Sequence, residues 1–195
     1  MGSRAQILEN IKANKPEALP LPPIDLSIFY ENIDLVNEFT KKVEIVGGNV
    51  INEPNSEKVL EKVKSLFPDT QTNYSTLAHS ENFNTVDITD KKPKDLEDLD
   101  VLILKSDIAV AENGAVWIND QNLPVRVLPF ITKHLVLVVS KNNILPYMHQ
   151  AYDRITANPT DFGVFISGPS KTADIEQSLV IGAHGALSLT VFLTE

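Results

Sequence analysis

A run of five branched apolar residues, 135–139, constrains the fold of this chain more than any other feature of its sequence. An unbroken run of this kind has no polar face, so a strand built from it is covered on both sides, as at the centre of a parallel sheet. Residues 162–166 and 187–193 are also rich in apolar side chains and predict two further strands. We therefore expect a buried sheet with helices packed on both of its faces.

Amphipathic helices alternate with these strands along the chain. Residues 56–67 have apolar side chains at the helical period, Asn55 or Ser56 can cap them, and Pro68 stops them. Further helices are predicted over residues 29–42, 142–155 and 175–181, and further strands over 43–46, 99–104, 107–111 and 116–118, the last two as a hairpin around Glu112-Asn113-Gly114. This alternation predicts an α/β protein, a three-layer α/β/α sandwich with a largely parallel sheet.

The first 25 residues are predicted to lie outside that sandwich. Ser3 and Gln6 form a capping-box pair ahead of an apolar stripe, which predicts a short helix. Four prolines between residues 15 and 23 then predict an extended arm. We therefore divide the chain into an N-terminal helix with a Pro-rich arm, residues 1–25, and one domain, residues 26–195.

The composition excludes several classes of function. The 195 residues include no cysteine, which excludes disulfides, a cysteine nucleophile and thiolate-bound iron–sulfur clusters in this chain. The net charge of −9 argues against a nucleic-acid partner, which would need clustered Lys and Arg. No apolar run reaches the roughly 20 residues that span a bilayer, and no apolar signal core follows the N-terminus, so a cytoplasmic location is expected. The four histidines do not pair at metal-ligand spacing, so neither a metal nor a cofactor is predicted.

Residues 166–177 contain the side chains best suited to binding a ligand. Gly168 begins a turn after a strand, and Ser170, Lys171 and Thr172 follow at the predicted start of a helix. The amides at a helix N-terminus lack internal partners and carry about half a positive charge, so they can hold a carboxylate or phosphate at the carboxyl end of a strand. The alternative is that Ser170 or Thr172 only caps the helix and Lys171 is only solvated. The spacing leaves both interpretations open.

Two segments resemble the LUD-domain family of lactate-utilisation proteins. Residues 168–176, Gly-Pro-Ser-Lys-Thr-Ala-Asp-Ile-Glu, and residues 182–185, Gly-Ala-His-Gly, are similar to the C-terminal signature of the family. Residues 108–114 resemble a second family segment that commonly ends Ala-Glu-Thr-Gly-Thr, from which Asn113 and Ala115 depart. We take the candidate ligand-binding residues from these segments: Asn113, Gly114, Gly168, Ser170, Lys171, Thr172, Asp174, Glu176 and His184.

The resemblance implies a fold of the NagB/RpiA/CoA-transferase-like type and a place in the bacterial oxidation of L-lactate to pyruvate. Family members of that system accompany an iron–sulfur protein and a cysteine-rich protein. A chain without cysteine fits the LutC-like member, which holds no cluster, and fits the cluster-bearing partner badly. On this interpretation the chain is an accessory subunit that binds those partners or a small anion. Whether it also forms a homo-oligomer is left open.

Glu112 is the candidate catalytic residue. Glu112-Asn113-Gly114 also resembles the Ser-Glu-Asn-Gly turn of class I CoA-transferases, whose glutamate becomes a thioester with CoA, although Ala111 stands in place of the serine. This resemblance implies the alternative function, an independent enzyme acting on CoA esters or sugar phosphates with Glu112 as its carboxylate. The simpler interpretation is that the Glu112 carboxylate binds backbone amides in the turn.

His184 lies between two glycines in a predicted turn, where it can hydrogen-bond backbone or face the site as a proton donor. The site itself requires that Glu112 and residues 170–176 meet at one edge of the sheet. A third interpretation makes the signature a determinant of folding alone.

Overall fold

The structure is a computed structural model that describes residues 3–20, 22, 25, 32–88, 90–173 and 179–195. The chain divides into two compact units, Met1–Asn32 and Ile33–Glu195. In the first unit, helix α1 spans Ser3–Ala13, so the predicted short helix is confirmed, with Ser3 as its first residue. Asn14 closes its last turn by donating from its backbone and side-chain nitrogens to the carbonyl oxygen of Asn10, over 3.0 and 2.8 Å. Residues 15–20 follow without helix or strand.

The second unit contains four α-helices, two short 3-10 helices at Pro93–Leu96 and Lys141–Asn143, and eleven strands in its described part. The helices are α2 Leu35–Ile45, α3 Ser56–Leu66, α4 Leu128–Ile131 and α5 Met148–Ala157. The strands are β1 Asn49–Asn52, β2 Asn73–Ser75, β3 Val101–Ser106, β4 Ala109–Val110, β5 Ala115–Asn119, β6 His134–Ser140, β7 Ile144–Leu145, β8 Gly163–Ile166, β9 Lys171–Ala173, β10 Leu179–Ile181 and β11 Ser188–Thr194. None of the helices in these residues is long and apolar enough to cross a membrane.

Five parallel strands form the central sheet, in the order β1-β11-β6-β3-β2. Strand β6 lies at its centre, as the apolar run at 135–139 predicts. Its odd-numbered side chains, such as Leu135 and Leu137, pack on one side against α2, α4 and the second sheet. Its even-numbered side chains, Val136 and Val138, pack on the other side against α3. Each buried Leu or Val contributes about 1.5–3 kcal/mol by leaving water, so both faces help to hold the sheet. The predicted layered α/β architecture is confirmed.

Side-chain caps fix where two of the helices begin. The Asp34 carboxylate accepts from the backbone amide of Asn37 over 3.1 Å, so α2 begins at Leu35. Of the predicted helix 29–42, residues 29–31 lie outside the described residues. Asn55 caps α3 in the same way through the amide of Lys58, over 3.0 Å, as predicted. Such caps are worth about 1 kcal/mol each.

Three predicted elements are wrong in type. Residues 43–46, predicted as a strand, form the end of α2, because Val43 lies one helical turn after Phe39 on the same buried face. Residues 142–155, predicted as one helix, begin with a 3-10 helix at Lys141–Asn143 and strand β7, since Pro146 cannot continue an earlier helix. Of the predicted helix 175–181, residues 179–181 form strand β10 instead. Residues 175–178 lie outside the described residues.

A second, mixed sheet covers part of the central one, in the order β7-β4-β5-β8. The predicted hairpin around Glu112-Asn113-Gly114 is confirmed, with β4 and β5 antiparallel. Strand β8 pairs antiparallel with β5, so it belongs to this sheet rather than to the central one. Its residues are only half-buried. There Trp117 packs on Phe165, with ring centroids 4.7 Å apart. A two-stranded ladder of β9 and β10 completes the described strands.

Candidate functional site

The two turns of the C-terminal signature enclose one pocket of about 250 Å³. Gly168 and Ser170 come from the segment after β8, and His184 and Gly185 come from the segment before β11. The floor and rim are largely apolar and include Pro129, Phe130, Leu135, Ile166, Pro169 and Ala186. Three of the predicted ligand-binding residues, Gly168, Ser170 and His184, line this pocket, whereas Thr172 does not. The pocket is the candidate functional site.

This pocket lies at the amino edge of the central sheet. Leu187, just before β11, donates its amide to the carbonyl oxygen of Lys133, just before β6, over 2.8 Å. Phe130 of α4, which precedes β6, and Leu135 at the start of β6 both line the pocket. The sequence predicts a ligand site at the carboxyl end of a strand. The pocket does lie at the carboxyl end of β8 in the second sheet, but it lies at the amino ends of the central strands. The sequence could not show this difference, because it depends on which sheet takes up residues 163–166.

The predicted helix start at Ser170 is wrong. Residues Lys171–Ala173 form strand β9, in which Thr172 pairs with Val180 of β10. The Ser170 amide donates to the carbonyl oxygen of Ala186 over 2.9 Å, and the Ser170 carbonyl accepts from Gly182 over 3.0 Å. Because these groups are used in pairing, the anion cradle expected from a helix N-terminus is absent from the described part of this segment. Asp174 and Glu176 lie outside the described residues.

Lys171 stabilises the end of helix α2. Its ammonium donates to the carbonyl oxygen of Val46, the C-terminal cap residue of that helix. The last carbonyls of a helix carry about half a negative charge, so a cation is favourable there. Neither Lys171 nor Thr172 is among the described residues that line the pocket. In this structure Lys171 therefore serves the packing of the signature segment rather than the pocket.

Glu112 is held at the start of helix α5. Its carboxylate accepts from the backbone amide of Met148, the first residue of α5, over 2.9 Å, and its own amide donates to Pro146 over 3.0 Å. An anion is favourable at this end of a helix. The carboxylate is exposed and does not line the signature pocket. These contacts are those of the simpler interpretation, a carboxylate that binds backbone amides.

Asn113 and Gly114 shape the turn that follows Glu112. The Asn113 side-chain oxygen accepts from the amide of Ala115 over 3.1 Å. Gly114 has a φ of +67°, and a Cβ there would lie 2.8 Å from the backbone nitrogen of Val43. Only glycine fits such a close approach without a shift. Both residues therefore have structural roles in the hairpin.

The two family segments do meet, as the proposed site required. The Ser167 hydroxyl donates to the carbonyl oxygen of Asn113 over 2.8 Å. Gly114 and Gly168 both pack against the last turn of α2, at Val43 and Val46. The end of α2 is thus a shared platform for both segments, although the Glu112 carboxylate is bonded away from the pocket.

An ionic cluster at the same edge of the central sheet was missed in the sequence. The Asp100 carboxylate accepts from the Lys133 ammonium over 2.6 Å and from the amides of Gln71 and Thr72 over 2.9 and 3.0 Å. Burial alone would raise the pKa of Asp100, but the Lys133 and backbone hydrogen bonds outweigh it and lower that pKa to about 2. Lys133 and Asp100 are 33 positions apart in the chain, so no local pattern reveals their pairing.

His134 was also missed as a member of this edge. Its Nδ1 lies 2.8 Å from the Ser188 hydroxyl oxygen, and its ring stacks on Phe67 with centroids 4.4 Å apart. Burial lowers the pKa of His134, and nearby Asp100 opposes that effect in part. The two strands β6 and β11 therefore begin with a paired polar contact, His134 to Ser188.

Across the described residues, no group of three or more His, Asp or Glu side chains is arranged to hold a metal ion. The described pocket offers the hydroxyls of Ser167 and Ser170, the imidazole of His184 and backbone groups.

Comparisons with known proteins agree with this architecture. The chain resembles "Lactate utilization protein C 1" of Bacillus mycoides (strain KBAB4), with 24% identity over 97% of this chain and 94% of that protein. It is also similar to "Lactate utilization protein C" of Geobacillus sp. (strain WCH70), with 35% identity over 48% of this chain and 42% of that protein. The second alignment thus spans less than half of that relative's length.

A solved structure and a family profile extend the comparison. The crystal structure of a DUF162 family protein from Deinococcus radiodurans superposes with a TM-score of 0.65 over 89% of this chain and 100% of that chain. At 15% identity it shows that the fold is shared. The profile of the LUD domain matches residues 36–194, which is most of the chain and includes both signature segments. The chain belongs to the LUD domain family.

Proposed function

We propose that this chain is a LutC-like accessory subunit of a bacterial system that oxidises L-lactate to pyruvate. The observation that carries the proposal is the match of the LUD domain to residues 36–194, together with relatives named lactate utilization protein C, one of which aligns over 97% of the chain. In this role the chain supplies no redox centre of its own, since it has no cysteine to bind a cluster. Its partners are the iron–sulfur and cysteine-rich subunits, and it works in the cytoplasm.

The surface proposed for partner binding is the apolar rim, which we define as Phe130, Val180, Ile181 and Leu187. These side chains are 44%, 40%, 49% and 49% exposed. Leu187 and Phe130 flank the two signature turns, since a Cβ on Gly182 would lie 2.2 Å from the Leu187 side chain and one on Gly185 would lie 3.7 Å from the Phe130 carbonyl oxygen. Val180 and Ile181 come just before Gly182, in β10. Adjacent exposed apolar side chains beside a pocket are typical of protein-binding surfaces. The two signature turns thus support one face suited to a partner.

Growth of a deletion strain on L-lactate tests the proposal. The wild-type chain is expected to restore growth, and Phe130→Glu and Leu187→Glu are expected to abolish it, because a charge on the apolar rim opposes burial against a partner. Leu66→Glu is the matched control, since Leu66 is 41% exposed on α3, at the other face of the sheet. Pull-down of the iron–sulfur subunit from the same strains gives the second measurement. Failure of the wild-type chain to restore growth would reject the proposal.

His184 provides a further variant of the same experiment. It lines the signature pocket, and we expect His184→Asn to impair growth on lactate, whereas His79→Asn, at an exposed histidine of another loop, is expected to have no effect. Glu112→Gln is expected to retain growth, because the Glu112 carboxylate is bonded to the Met148 amide. Loss of growth in Glu112→Gln with the fold intact would favour the alternative, an independent enzyme with Glu112 as its carboxylate.

A further inference from the structure

A second cavity, of about 290 Å³, lies away from the signature pocket. It is formed between the carboxyl end of β3, strand β5 and the last turn of α5. Asp107 follows β3 directly, Trp117 and Asn119 lie on β5, and Arg154 lies on α5. Open α/β sheets usually place ligands outside the carboxyl ends of their strands. This cavity, rather than the signature pocket, occupies that edge of the central sheet.

Two opposite charges line the cavity without neutralising each other. Asp107 and Arg154 both contribute to its wall, and none of the ion pairs found among the described residues joins them. The Nη2 atom of Arg154 donates to the side-chain oxygen of Asn143 over 3.2 Å. A guanidinium has five N–H donors in a planar fork, so this bond orients Arg154 and leaves donors for a carboxylate.

The end of α5 adds acceptor character to the wall that carries Arg154. The last carbonyls of a helix carry a partial negative charge. Asn158, which also lines the cavity, donates from its backbone to Ile155 over 3.0 Å and from its side chain to the carbonyl of Arg154 over 3.4 Å. These bonds fix the helix end in place. The cavity therefore presents the cationic Arg154 on its α5 side and the anionic Asp107 at the end of β3.

The remaining walls combine polar and aromatic side chains that are held in place by their neighbours. The Asn119 side-chain oxygen accepts from the Gln121 amide over 3.1 Å, so its NH₂ is the group that it can offer to a ligand. The Trp117 ring packs on Phe165, and a Cβ on Gly163 would lie 2.0 Å from that ring. Gly163 thus leaves the space that lets Trp117 lie flat against β8. A wall positioned by packing is suited to a defined ligand pose.

We propose that this cavity binds a small carboxylate that carries a hydroxyl or an ammonium group on the adjacent carbon. The carboxylate binds the Arg154 guanidinium, and the hydroxyl or ammonium group donates to the Asp107 carboxylate. Both ligand types share this chemistry, and a volume of about 290 Å³ suits a small metabolite rather than a nucleotide. The inference does not rest on the lactate role, because an α-amino acid would use the same groups.

The chain contains one tryptophan, Trp117, which lines this cavity, so its fluorescence responds to binding there. The experiment titrates the full chain with L-lactate, L-alanine and propionate, the last of which has a carboxylate and no adjacent donor. We expect a saturable change of emission with L-lactate, L-alanine or both, and none with propionate. Arg154→Gln should weaken binding about tenfold or more, since hydrogen bonds to charged groups contribute about 1.5–3 kcal/mol. Arg126→Gln, at an arginine outside the cavity, is the matched control and should bind as the wild type does.

The outcomes separate the ligand types and can overturn the site. A response to L-alanine that Asp107→Asn removes identifies an ammonium ligand, and a response to L-lactate alone identifies a hydroxyl ligand. No response to either compound, an equal response to propionate, or unweakened binding in Arg154→Gln and Arg154→Lys would reject the proposal. A chain that restores growth on lactate but gives none of these responses would reject this site while leaving the accessory role intact.

Discussion

The carbonyl oxygen of Val46 lies 2.6 Å from the position that a Cβ atom on Gly168 would occupy. Gly168 also has a φ of +78°, in the left-handed region that side chains other than glycine rarely adopt. The first glycine of the signature is therefore required by the approach of its turn to the end of α2. This contact connects the sequence motif to the helix that both family segments pack against.

We expect Gly168→Ala to destabilise the protein by about 2 kcal/mol or more. The left-handed backbone costs about 1–2 kcal/mol with any side chain, and the collision with Val46 adds to it. Urea denaturation gives the free energy of unfolding. Gly47→Ala is the matched control, because Gly47 has a φ of +85° but its Cβ would meet nothing closer than 3.7 Å. Equal losses in the two variants would show that the collision contributes nothing.

The sequence predicts the central sheet well because its cause is local. The run at 135–139 has no polar face, and strand β6 is buried on both sides as a result. Asn55 caps α3 at the predicted position, since capping depends on three neighbouring residues. Elements whose state depends on distant partners were predicted less well. Residues 43–46 have strand-forming side chains, yet burial of Val43 beside Phe39 keeps them in α2.

The candidate site was predicted in part for the same reason. The signature residues Gly168, Ser170 and His184 do line one pocket, because the turn after β8 and the turn before β11 both contribute to its wall. The apolar residues at 179–181 fit a helix or a strand equally well in so short a run, and pairing with residues 171–173 decides for a strand. Phe130 comes from α4, far from the signature in sequence, and nothing in its local pattern marks it as a pocket residue.

Removal of the Glu112 side chain is expected to loosen the start of α5. Glu112→Ala should lower the free energy of unfolding by about 1 kcal/mol, because the Met148 amide loses a charged acceptor at a helix N-terminus. Glu112→Gln keeps an acceptor oxygen and should lose less. Urea denaturation measures both. The control is Glu57→Ala, since Glu57 lies in the first turn of α3, where Asn55 already caps the helix. A Glu112→Ala protein as stable as the wild type would show that this bond does not stabilise α5.

The imidazole of His134 is expected to titrate below its ordinary pKa of 6.5, because burial disfavours its charged form. The folded protein then binds fewer protons than the unfolded chain in this window, so stability falls as the pH drops below 6.5. NMR titration of the imidazole protons gives the midpoint. Phe67→Leu removes the stacked ring and should move the midpoint upward. A midpoint at or above 6.5 in the wild type would contradict the prediction.

Acid is expected to destabilise the protein through Asp100. Its folded pKa of about 2 lies below the ordinary value of 3.8, so its carboxylate stabilises the fold above pH 3.8 and loses that effect as the pH falls toward 2. We expect the urea midpoint of the wild type to fall across this window. Asp100→Asn should show a lower midpoint at neutral pH and a flatter dependence at acid pH.

Lys133→Met removes the hydrogen bond from the ammonium to Asp100. It should narrow the pH window over which stability is lost, because the folded pKa of Asp100 then moves up toward 3.8. The exposed pair of Lys58 and Glu61 provides the control, since Glu61→Gln should leave the acid profile unchanged by comparison. An Asp100→Asn protein with the same acid profile as the wild type would assign the transition to other carboxylates.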